Sequence, residues 1–405
     1  MRTAADTGLP LAVRGGGHSY ARFGVADGGL VLDLRLLDHV RIDPAGRVGV
    51  AGGGVTAGAY TAAAAEHGLA TGFGDSPTVG VGGLVLGGGI GYLSRRDGLT
   101  LDHLLAAEVV LADGSVVRAD ADRNADLFWA LRGGGGNLGV LTRCELRLTP
   151  TGVVTGGIVA FEPEPRTVAA LVAAARAASD DVSLMINVMK APPVPFLPAQ
   201  RHGTPVAVAL LCHSGRPERA AAELAPFRSA GAVLADLVRP QPYAALFREE
   251  EPGLHASLRT GFGDGLDGDR AQAAIDLVRR APTPAAVVNL RPMGGAIARV
   301  PDDATAFAHR RHAVMESVAA VDLPGAGPEP AREWVAEAAA SLGVGAGPGY
   351  VNFIAEPGPG AVRAAYPAPT LARLTQVKRA YDPGNLFRSN VNVEPAPRPG
   401  ARLTG

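Results

Sequence analysis

The apolar and polar positions of this chain follow one rhythm up to about residue 150 and another after it. In the first stretch, short Val- and Leu-rich runs bounded by Gly, Asp and Pro predict strands: LAVRG (11–15), GLVLDL (29–34) and VLTRCELRL (140–148). VRID with VGVAG around Pro44-Ala45-Gly46, and AEVVLA with SVVRA around Asp113-Gly114, read as paired strands. Helices are few. TAGAYTAAAAEHG (56–68) has Thr56 as a cap and Gly68 as a stop, and NADLFWALRG (124–133) has Asn124 as a cap, an apolar face and a glycine exit.

Beyond Pro150, strand-like runs (GGIVAF, VSLMINVMK, PVAVALLCHS, AVLADLV, AAVVNLRPM, HAVMESVAAV) alternate with helical patterns such as RTVAALVAAARAAS, RPERAAAELAPFRSA and DRAQAAIDLVRRA. This predicts a second domain. The proline-rich segment 191–205 is expected to be a plain surface loop, with the edge of a pocket as the lesser alternative. A final amphipathic helix, TLARLTQVKRAYDPGN, ends at Asp-Pro-Gly and leads into LFRSNVNVEP.

At 405 residues, 47% hydrophobic and 19% charged, the chain is long and apolar enough for two buried cores. A net charge of −1 without a block of Lys or Arg gives no footprint for nucleic acid or an anionic membrane, so the expected partner is a small molecule. No run of eighteen apolar residues occurs, and the first residues, MRTAADTGLPLAVRGGG, do not read as a secretory leader; the cytoplasm is the expected location. Cys144 and Cys212 lie in separate strand-like runs, outside metal or redox spacings, and are expected to be buried reduced thiols.

The candidate chemistry lies in four glycine-rich runs: RGGGHSY (14–20), AGGGVTAG (51–58), SPTVGVGGLVLGGGIG (76–91) and RGGGGNLGV (132–140). Glycine lets backbone N–H groups converge without side-chain obstruction, which a pyrophosphate and a flat ring system both require. The fourth run satisfies GxGxxG through Gly134, Gly136 and Gly139, but a helix precedes it and a strand follows, the reverse of a dinucleotide fingerprint. A nicotinamide site is therefore not expected. In the first run, His18 follows three glycines and precedes Ser19, where an imidazole can be carried to a cofactor's edge.

Taken in order, RGGGHSY, SPTVGVGGLVLGGGIG, ADGSVVRA with DLFWALRGGGGNLGV, and YVNF with YDPGNLFRSNVNVEP resemble the berberine bridge enzyme-like FAD-linked oxidases of the vanillyl-alcohol oxidase superfamily. The resemblance spans about residues 10–395. It implies that His18 is bonded to the 8α-methyl of FAD, with Arg14, Gly15, Gly16, Gly17 and Ser19 around the pyrophosphate. Ser76, Thr78, Gly80, Gly82 and Gly83, with the turn of Gly87, Gly88, Gly89 and Gly91, are implied as the second wall of the FAD site. Asn390 and Asn392 are implied as a C-terminal strap, Val79 as the oxygen gate, and Tyr350 as the base taking a substrate proton while hydride leaves.

The chain departs from the family pattern in three places. Many relatives carry a cysteine where Ser76 stands and bond it to the flavin, so a single link at His18 is expected. Ile90 replaces a second tyrosine found in plant relatives; Tyr92, Tyr20 or Glu316 are the residues that could compensate for it. Relatives also have some tens of residues before this starting point, supplying the first strands of the FAD domain, and a trimmed domain would expose a sheet edge.

The expected architecture is α+β: a PCMH-type FAD-binding domain over 1–152, a substrate-binding domain over 153–354 with an antiparallel sheet and helices on one face, and a berberine-bridge-type segment over 355–395 returning to the FAD domain. The expected reaction is oxidation of an alcohol, a sugar hemiacetal or a secondary metabolite, with molecular oxygen as acceptor and hydrogen peroxide as product. A flavin-binding protein without turnover is the competing expectation.

Overall fold

The sequence patterns resolve into two packed α+β layers in the computed structural model, which describes residues 1–247, 256–322, 325 and 327–397. The first layer is a five-stranded antiparallel sheet in the order 40–43, 48–52, 140–147, 104–110, 116–120. Beside it, Leu11–Arg14 pairs in parallel with Leu30–Asp33. Helix Ala57–Ala65 is capped as expected, with Thr56 Oγ1 accepting from Ala59 N–H at 3.3 Å. Asn124 is different. It precedes helix Ala125–Leu131 in a left-handed conformation, and its side chain donates to Arg118 O at 2.7 Å instead of capping.

Within the run 76–91, Val81–Gly87 is a short helix that the sequence reading does not predict. Val81, Val85 and Leu86 enter the same core as Val109, Leu127 and Leu141, and that burial outweighs the low helix propensity of glycine.

The second layer is an eight-stranded antiparallel sheet. Its main path runs 233–236, 153–161, 205–213, 182–190, 286–292, 314–321, 256–263, with 239–242 also paired to 153–161. Strand alternation assigns its two faces. Val182, Leu184, Ile186 and Val188 pack with Val288, Leu290 and Val318 against helices Pro165–Ala177, Pro217–Arg228, Gly268–Arg279 and Glu329–Leu342. Full burial of each such aliphatic side chain contributes about 1.5–3 kcal/mol. The odd-numbered positions Asn187, Asn289 and Arg291 point the other way, toward the first layer.

Two arginines tie the layers together where the chain leaves the third glycine run. Arg95 is buried and donates to the carbonyls of Val182 (2.8 Å), Ala178 (3.0 Å) and Met293. Arg310 is fully buried and bonds Asp102 at 2.7 and 3.0 Å. The proline-rich segment 191–205 buries Leu197 under the second sheet and does not line the cleft described below. Cys144 and Cys212 are buried and unpaired, as expected. Among the described residues, no helix is long and apolar enough to cross a membrane.

Candidate active site

All four glycine-rich runs, the second through Gly53 alone, and the C-terminal segment surround one cleft of about 320 Å³ between the two layers. Strand Leu11–Arg14 delivers the first run. Gly16 lies so close to the third run that a Cβ there would collide with Gly80 N and sit 2.9 Å from Thr78 O, so glycine is required for the two backbones to touch. That contact places His18 beside the Ser76–Val79 turn. His18 Nε2 is 2.9 Å from Thr78 Oγ1, which is 3.2 Å from Ser76 Oγ.

Helix Val81–Gly87 and the glycines after it make a shelf for Tyr350. A positive φ of 89° turns Gly89 N–H onto Tyr350 Oη at 2.7 Å, and Asn352 Nδ2 donates to the same oxygen at 3.1 Å. A Cβ on Gly88 would stand 2.8 Å from the phenol ring. Burial raises the Tyr350 pKa above its ordinary value, with the two donors and the nearby Arg291 charge pulling against it. The phenol is therefore protonated at neutral pH. It keeps an O–H to offer, while two donors stand ready for its phenolate.

The C-terminal segment returns to the cleft after helix Ala368–Tyr381, held by a fully buried ion pair. Lys378 Nζ donates to Asp382 Oδ2 (2.6 Å), Asn137 O (2.7 Å) and Phe387 O (2.9 Å). Asn137, from the fourth glycine run, donates to Val391 O at 3.0 Å and accepts from Val393 N–H at 2.8 Å. Asn390 lines the cleft, and its Nδ2 donates to Gly136 O at 3.1 Å.

Of the residues expected at the site, Arg14, Gly15, Gly16, Gly17, His18, Ser19, Ser76, Val79, Gly80, Gly82, Gly83, Tyr350 and Asn390 line this cleft. Thr78, Gly87, Gly88, Gly89, Gly91 and Asn392 are not among the lining residues; Thr78 is exposed and reaches the site through its contact with His18. Ile90 lines the cleft, and so does Tyr20, whose ring meets Phe353 edge-on at 5.6 Å. Tyr92 is buried in the core under the second sheet. Glu316 faces away: the register sets it opposite Gly261 on the helix side of the sheet, where it pairs with Arg270 at 2.8 Å and accepts from Gly265 N–H at 2.9 Å. It is a structural carboxylate.

Two charged residues of the cleft carry no local sequence signal. Arg291 bonds Asp75 through both terminal nitrogens at 3.1–3.2 Å, donates to Ile90 O at 3.2 Å and lies 5.3 Å from the centre of the Phe353 ring. Burial pulls its pKa down, but the Asp75 carboxylate more than compensates and the net shift is upward. The pair adds no net charge to the cleft. Asn137, Gly135, Gly136 and Gly139 are further lining residues from the fourth run.

The cleft fits a dinucleotide cofactor with a flat ring. Arg14 Nε and Asn390 Oδ1 are buried polar atoms without a hydrogen-bond partner among the described residues, one donor and one acceptor, in residues that line it. Gly83 faces the cleft inside a helix, and a Cβ on it would meet nothing within 4 Å, so no protein packing demands glycine there.

Comparison with known proteins agrees with that fit. A sequence model of the FAD binding domain matches residues 1–120, and one described as berberine and berberine like matches 349–394. The chain is 31% identical to (R)-6-hydroxynicotine oxidase of Paenarthrobacter nicotinovorans, over 98% of this chain and 88% of the relative. It belongs to the berberine bridge enzyme-like FAD-linked oxidoreductases. An FAD-linked oxidoreductase of Dictyostelium discoideum is 28% identical over 96% of this chain and 84% of its own. The crystal structure of 6-hydroxy-D-nicotine oxidase from Arthrobacter nicotinovorans superposes with a TM-score of 0.86 at 30% identity, covering 98% of this chain and 89% of that one. Chitooligosaccharide oxidase shares the fold with a TM-score of 0.84 at 21% identity, over 97% of this chain and 88% of its own. As a member of this family, the oxidoreductase takes FAD as its cofactor.

Proposed function

We propose that this oxidoreductase is an oxidase holding FAD by one covalent bond at His18, passing hydride from a hydroxylated or amine-bearing small molecule to the flavin, and returning the electrons to molecular oxygen as hydrogen peroxide. The observation that carries the proposal is the convergence of His18, the glycine-rich runs and Tyr350 on one cleft. The flavin supplies the hydride acceptor; the protein supplies placement and electrostatics. Arg14 and Asn390 would hold the cofactor through their unpaired polar atoms, and Gly83 would admit it against the backbone.

Tyr350 would take the substrate's O–H or N–H proton, with Gly89 N–H and Asn352 stabilising the phenolate that does so. Its raised pKa favours a second reading, in which the phenol donates a hydrogen bond and orients the substrate. The pH dependence of kcat/KM separates the two. A base gives a rate that climbs with pH toward a pKa above the ordinary tyrosine value, and a donor gives a rate that falls there. Val79 lines the cleft as a small residue and would leave oxygen a path to the ring.

The relatives named as oxidases of 6-hydroxynicotine and of chitooligosaccharides bracket the substrate classes to try. The test is anaerobic mixing of the yellow protein with panels of alcohols, sugars and cyclic amines. The proposal expects the visible flavin absorbance to bleach with one class and to return in air with formation of peroxide. Bleaching by a nicotinamide alone, or recovery only with an artificial acceptor, would contradict it.

A further inference from the structure

We infer that Thr78 and Ser76 form a hydroxyl relay that prepares His18 for covalent attachment of the flavin; the inference rests on the covalent reading above. His18 Nε2, Thr78 Oγ1 and Ser76 Oγ form a continuous chain at 2.9 and 3.2 Å, and Ser76 is buried at the cleft wall. In the relay Thr78 Oγ1 is assigned as the acceptor from Nε2–H, which puts the imidazole in the tautomer whose Nδ1 carries a lone pair, because the partner of one ring nitrogen sets the state of the other. The close contact of Gly16 with Gly80 holds the two turns in register, so the chain is set by the backbone.

Attachment balances through this chain. The flavin's 8α-methyl gives up one proton, and Nδ1 forms the N–C bond to that carbon. The electron pair of the broken C–H bond enters the ring system, which is reduced by two electrons. The alkylated imidazole is a cation until Nε2 releases its proton to Thr78 Oγ1, which passes its own proton to Ser76 Oγ and the cleft. Thr78 then turns to donate to the bare Nε2. Dioxygen takes the two electrons and the two released protons as hydrogen peroxide. Ser76 thus serves the histidine bond at the position where a cysteine would make a second one.

The experiment supplies FAD to purified protein and follows covalent attachment over time as flavin fluorescence of the denatured band in a gel. Flavin that survives gel filtration but not acid measures non-covalent binding. In Thr78→Val, attachment should slow by about 10–100-fold, the cost of removing a group that orients and polarises a histidine, while non-covalent binding persists. Thr78→Ser should restore most of the rate, and Ser76→Ala should slow it by less than Thr78→Val. Attachment in Thr78→Val at the wild-type rate overturns the relay. So does a well-folded Thr78→Val that binds no flavin at all, since Thr78 would then belong to the binding wall. Wild-type protein that releases all its flavin in acid overturns the covalent reading and the relay with it.

Discussion

Replacing Lys378 with Met tests how the C-terminal segment is fastened to the flavin site. Lys378 and Asp382 are fully buried, and the ammonium satisfies one carboxylate oxygen and the carbonyls of Asn137 and Phe387. Methionine keeps the volume but leaves a buried carboxylate without its cation, supported among the described residues by Leu386 N–H at 2.8 Å and Phe387 N–H at 2.9 Å. Removing one partner of a buried pair costs about 3–5 kcal/mol. Because the pair joins Phe387 to Asn137, the loss should loosen the segment carrying Asn390 and lower flavin incorporation together with stability. Urea unfolding measures the stability, and the ratio of flavin to protein absorbance in the purified variant measures the incorporation. A loss below about 1 kcal/mol, the range of an exposed pair, with flavin incorporated as in the parent, would refute the reasoning.

Five other outcomes follow from the geometry. Gly83→Ala should leave the fold intact, and even favour its helix by about 1 kcal/mol, yet lower FAD binding in a fluorescence titration, because its Cβ enters the cleft; Gly16→Ala should lose stability and flavin together, because its Cβ collides with Gly80. Tyr350→Phe should keep its flavin and lose about 10²–10⁴-fold in kcat/KM, measured by anaerobic flavin reduction; parent-like reduction would remove Tyr350 from the chemistry. Val79→Phe should slow reoxidation of the reduced flavin by oxygen in stopped flow more than its reduction by substrate. Cys144 and Cys212, whose pKa values burial pushes up to about 12, should resist a thiol reagent in the native protein and react with it in urea.

The glycine-rich runs were legible in the sequence because glycine is conspicuous wherever backbones must touch, and Gly16 against Gly80 is such a contact. Strand runs were legible for a related reason: alternation survives wherever one face is buried. What the sequence does not carry is which face of a strand meets which neighbour. Glu316 sits in a strand beside the cleft, yet its parity sends it to Arg270 on the helix side, while Arg291, one strand over, reaches Asp75 from 216 positions away. Lys378 and Asp382 show the other limit. On a helix written as TLARLTQVKRAYD, a lysine near the end reads as an ordinary solvated cation, and only the returning segment 386–393 buries it. The helix Val81–Gly87 was hidden because its glycine content argues against helix locally and tertiary burial overrides that preference.

The central claim is that one FAD is bonded to His18. Mass spectrometry of the denatured protein, followed by peptide mapping, tests it most directly. The account predicts a protein heavier than the polypeptide by one FAD less two hydrogens, with the flavin on the peptide that contains His18, and His18→Ala at the mass of the bare polypeptide. A bare wild-type polypeptide, or flavin on a peptide that lacks His18, would contradict it.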